Sequence, residues 1–61
     1  MVQQVKMYLM YDYNKEMWVL CSEYGWKYCV FETSTAILHI ASKRANQYLI
    51  DKQIWAEVKI V

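Results

Sequence analysis

Cys21, Cys29 and His39 carry the most reactive side chains in this sequence, and their spacing decides what chemistry is available. A thiolate paired with an imidazole can serve as a nucleophile. Four such ligands can hold zinc, commonly as closely spaced pairs. Here the cysteines stand at 21 and 29, and there is no second histidine to complete a ligand set. The carboxylates Asp12, Glu16, Glu23, Glu32, Asp51 and Glu57 fall mostly at turns and element ends. Acid–base work needs them in an apolar cleft that raises a pKa. A single glycine cannot build a phosphate loop. The expectation is a non-enzymatic protein with no catalytic residue, cofactor or metal.

These side chains must be positioned by a chain of 61 residues, read as one domain over 1–61, near the lower limit for independent folding. Its 57% hydrophobic content is too high for a disordered segment. Net charge is +1, which supports neither a protein held on DNA by bulk charge nor an acidic mimic of it. There is no apolar run of transmembrane length. The start, "MVQQVKMYLMYDY", lacks the pattern of a signal peptide, so a cytoplasmic protein with no membrane partner is expected.

Residues 2–11 read as a first strand, followed by a turn at "DYNK". Strands at 17–22 and 26–32 flank Glu23-Tyr24-Gly25, which suits a three-residue hairpin loop with glycine in the left-handed position. From 34 to 50 the period becomes helical, with Ile37, Leu38, Ala41, Ala45, Tyr48 and Leu49 in one stripe and His39, Lys43, Asn46 and Ile50 opposite. Thr33 or Ser34 is the expected N-cap. "IWAEVKIV" then alternates as a fourth strand. The fold class is α+β: βββαβ, a four-stranded, mostly antiparallel sheet in the order 4-1-2-3 with one helix on one face.

A glycine-last loop would set Leu20 opposite Tyr28, Val19 opposite Cys29 and Trp18 opposite Val30. A three- or five-residue first loop would set Leu9 opposite Val19 and Met7 opposite Cys21. One face would then collect Val5, Met7, Leu9, Val19, Cys21, Cys29, Phe31, Ile54, Ala56, Val58 and Ile60 beneath the helix. The other would collect Tyr8, Met10, Trp18, Leu20, Trp26, Tyr28, Val30 and Trp55, with nothing left to cover them. The cysteines would be diagonal neighbours about 7–8 Å apart, beyond disulfide reach, and would remain free thiols under the helix.

An uncovered aromatic face marks an interface. Tyr8, Met10, Trp18, Leu20, Trp26, Tyr28 and Trp55 are therefore the candidate protein-interface residues. The preferred reading is a small protein-binding module, an adaptor or inhibitor of the kind that phage, viral and mobile-element genes encode. It would use this face for homodimerisation or for capture of another protein. The alternative, ranked below it, is a nucleic-acid-binding protein stacking bases on the same rings.

Overall fold

The computed structural model describes residues 4–23 and 26–61. Its elements are strands β1 (Val5–Asp12) and β2 (Met17–Cys21), a 3-10 turn (Trp26–Tyr28), β3 (Cys29–Thr33), helix α1 (Leu38–Asp51) and β4 (Ala56–Ile60). The sheet order is β3-β2-β1-β4, with β4 parallel to β1 and the other pairs antiparallel. The α+β class, the βββαβ order and the strand order agree with the sequence reading. No helix is long and apolar enough to cross a membrane.

Both hairpin registers differ from expectation, and each difference has a local cause. At the end of β1, the Asp12 carboxylate Oδ1 accepts the backbone N–H groups of Asn14 (3.0 Å) and Lys15 (3.2 Å). This ties residues 13–16 into a four-residue loop whose last member, Glu16, takes φ 54°. Leu9 consequently opposes Leu20 and Tyr11 opposes Trp18. An even loop exchanges the faces that an odd loop would pair, because side chains alternate along a strand. Met7 and Leu9 therefore share the helix side with Leu20 and Trp18. Tyr8 and Met10 share the far side with Val19 and Cys21.

The second connection is longer than the glycine-last hairpin predicted. Residues 26–28 form a 3-10 turn instead of opening the third strand, and the Ser22 N–H donates to the Tyr28 carbonyl at 3.0 Å. Tyr24 and Gly25 themselves lie outside the described residues. Cys21 now opposes Cys29, Leu20 opposes Phe31 and Trp18 opposes Thr33. The unpaired Val30 is a bulge, the device by which a strand absorbs one extra residue.

The helix also starts later than residue 34, because β3 runs on to Thr33 and the Thr35 carbonyl still accepts the Trp18 N–H (3.2 Å). Neither Thr33 nor Ser34 caps it. Ile37 occupies the N-cap, and its N–H donates to Thr35 Oγ1 at 3.1 Å. Thr33 is buried, and its hydroxyl accepts a hydrogen bond from Arg44 (3.2 Å). At the far end, Gln53 N–H reaches the Ile50 carbonyl and Ile54 N–H the Leu49 carbonyl, with Gln53 at φ 58°. That pair of bonds and the left-handed residue close the helix as a Schellman motif, and they aim the chain into β4.

Of the predicted stripe, Ala41, Ala45 and Leu49 are buried against Met7, Leu9 and Leu20. Phe31 and Tyr48 stack at its margin, with ring centroids 4.6 Å apart. Ile37 and Leu38 stay exposed. The helix lies over β3 and β2. A second cluster, Met10, Val19 and Cys21, is buried on the far face under Tyr8, Tyr28 and Cys29. The far face thus has a cover of its own, which corrects the expectation of a wholly open aromatic surface.

Candidate association edge

The predicted interface residues do not form one surface. Leu20 is fully buried on the helix side. Trp18 is half-buried on that side, its indole Nε1–H donating to the Ala36 carbonyl at 3.1 Å and its ring edge-on to Tyr11. Tyr8, Met10 and Tyr28 belong to the far-side cluster, with Met10 buried. Trp26 falls in the 3-10 turn, and its side chain lies outside the described residues. Trp55 remains open, at 59% exposure. The two registers explain the dispersal: the first puts Trp18 and Leu20 on the face opposite Tyr8 and Met10, and the second parts them from Tyr28.

Exposed apolar area gathers instead along the outermost strand. Trp55, Ile60 and Val61 are each half exposed or more, and Val5 and Ile54 flank them. Among the described residues no strand lies beyond β4. Its backbone polarity follows from two hydrogen bonds to β1. Val5 N–H donates to the Trp55 carbonyl (2.9 Å), and Val61 N–H donates to the Leu9 carbonyl (3.0 Å). In a parallel ladder alternate residues direct both backbone groups at the same neighbour. Residues 55, 57, 59 and 61 therefore serve β1, whereas Ala56, Val58 and Ile60 present their N–H and C=O groups outward. Such an edge is a template for another strand.

The side chains along the edge match their own reversed sequence. In an antiparallel pairing of two β4 strands centred on Val58, Glu57 faces Lys59, Ala56 faces Ile60 and Trp55 faces Val61. The outward backbone groups of Ala56, Val58 and Ile60 fall in hydrogen-bonded positions in that same register. The sequence reading gives Glu57 and Lys59 no role in strand pairing. Their spacing about Val58 was the available signal, and only the edge position gives it meaning.

A second feature sits at the other end of the sheet. An open cleft of about 490 Å³ is lined by Asp12, Tyr13, Asn14, Lys15, Val19, Cys29 and Glu32. Lys15 Nζ bridges to Glu32 Oε1 at 2.9 Å, and that hydrogen bond and charge raise the Lys15 pKa. Cys21 and Cys29 are both free thiols. They oppose each other directly on the face away from the helix, not diagonally beneath it. Burial, then the neighbouring Cys29, pushes the Cys21 thiol up to about 11. His39 is exposed on the helix, across the sheet from both. Among the described residues no group of three or more His, Cys, Asp or Glu side chains is placed to hold a metal ion. No protein-family model, curated protein or solved structure matches the chain.

Proposed function

We propose that the protein is a small, non-enzymatic, cytoplasmic association module that pairs with a second copy of itself through β4, joining two four-stranded sheets into one. The observation that carries this reading is the self-complementary edge: outward backbone groups on Ala56, Val58 and Ile60, with Glu57 set to meet Lys59 of the second copy. Pairing would cover Trp55, Ile60 and Val61, the apolar residues left most open along this edge. It would also add stability that a domain of this size is short of.

Light scattering behind a sizing column should return twice the chain mass of 7.4 kDa. Val58→Pro removes an outward N–H without touching the β1 ladder, which proline tolerates on an edge strand, and should yield a folded monomer. The charge pair gives a test that leaves the backbone intact. Glu57→Lys and Lys59→Glu should each weaken pairing, by roughly 0.2–1 kcal/mol per directly opposed pair. With two such pairs by symmetry, that is about tenfold in Kd. Mixing the two variants should restore association as a heterodimer. A wild-type monomer at millimolar concentration, or variants that pair as well as wild type, would overturn the reading.

A further inference from the structure

Cys21 and Cys29 are direct cross-strand partners. The Ser22 N–H to Tyr28 carbonyl bond lies immediately beyond them, so the cysteines occupy the position between ladder hydrogen bonds where opposed side chains approach most closely. Cα atoms at such positions stand about 4.5 Å apart, inside the 4.4–6.8 Å that a disulfide spans. The two thiols differ in access. Cys21 has no exposed surface. Cys29 is half-buried and lines the cleft that also holds the ammonium group of Lys15, and its Sγ donates to the Phe31 carbonyl at 3.6 Å.

We infer that Cys21 and Cys29 are a modification site, a dithiol that closes to a disulfide by exchange with a low-molecular-weight disulfide of the glutathione class. Cys29 is the entry point. Its thiolate attacks one sulfur of the glutathione disulfide, the S–S bond breaks, and one glutathione leaves as a thiolate that takes a proton from solvent. Cys21 then gives up its proton and attacks Cys29 Sγ, forming the Cys21–Cys29 bond and releasing the second glutathione. Two protein thiols are oxidised and one glutathione disulfide is reduced to two thiols. Cys21 holds its proton more tightly than an ordinary thiol, for the burial given above, which assigns the first attack to Cys29 and the resolving step to Cys21. The cleft gives a small reagent access to Cys29, and Lys15, paired there with Glu32, is the one cation among the described residues of its lining.

The test incubates the reduced wild-type chain with defined ratios of oxidised to reduced glutathione and reads intact mass and disulfide-mapped peptides. The expected product has lost two hydrogens, carries no glutathione and maps as Cys21–Cys29. The folded protein should reach half-closure at a ratio about tenfold more reducing than the same chain in denaturant, since the strand pairing holds the sulfurs together. Cys21→Ser should stop at one glutathione on Cys29, and Cys29→Ser should stay unmodified while folded. Stable glutathione adducts on the wild type, cross-linking between chains, or equal ratios for folded and unfolded chain would each overturn the inference. The wild-type measurement decides it even if the buried Cys21→Ser variant fails to fold.

Discussion

The β2–β3 corner and the β4 edge are built from strands of equal length, five residues each, yet they end in opposite states. In β2, Val19, Leu20 and Cys21 are consecutive and all buried, because the helix covers one face and the turn carrying Tyr28 covers the other. In β4, Ala56 and Val58 are half-buried while Glu57, Lys59 and Ile60 stay exposed. A run of apolar residues without alternation is the mark of a strand buried on both faces. "MWVLC" is such a run and "AEVKI" is not. The contrast teaches that one short helix and one turn bury both faces at the β2–β3 corner and leave β4, at the edge of the sheet, largely exposed.

Truncation should separate the two regions most strongly. Leu20→Ala opens a cavity between sheet and helix and should cost about 2–5 kcal/mol in denaturant unfolding. Ile60→Ala should cost the monomer under roughly 0.5 kcal/mol, as an exposed position does, while weakening self-association. Equal losses at both sites would mean that β2 and β4 contribute alike to the monomer's core.

A smaller effect sharpens the same contrast through pH. The Cys21 pKa is raised on folding from 9.0 to about 11, so between those values the native state holds a proton that the unfolded chain has released. Stability is then fully present below pH 9 and falls as pH rises towards 11, by about 2 kcal/mol. Urea unfolding of reduced protein across that range should show the decline, and Cys21→Ala should flatten it. The smallest effect belongs to the Lys15–Glu32 bridge, whose side chains are about half exposed. Lys15→Met should leave the melting temperature unchanged while slowing entry of glutathione disulfide at Cys29. A clear drop in melting temperature would make the bridge part of the fold.

Much of the architecture was legible in the sequence. Helical spacing from Ala41 to Leu49, the strand alternation of "IWAEVKIV" and the turn residues after β1 suffice for the element order, the strand order and the parallel placement of β4. The candidate site was less legible, since the face of each aromatic residue depends on loop parity. Asp12 holding two backbone N–H groups made the first loop even, and the 3-10 turn with the bulge at Val30 displaced the third strand. Each residue of slip carries a whole strand's side chains to the opposite face.

By itself, then, the chain's pattern of apolar residues determined that one helix would lie on one four-stranded sheet, because burial periodicity is a local property written residue by residue. Tertiary structure alone decided that Trp18 and Leu20 would face the helix and that Cys21 would meet Cys29. Those outcomes turn on hydrogen bonds in two short connections, and a single residue of length there outweighs the preferences of every side chain in the strands they join.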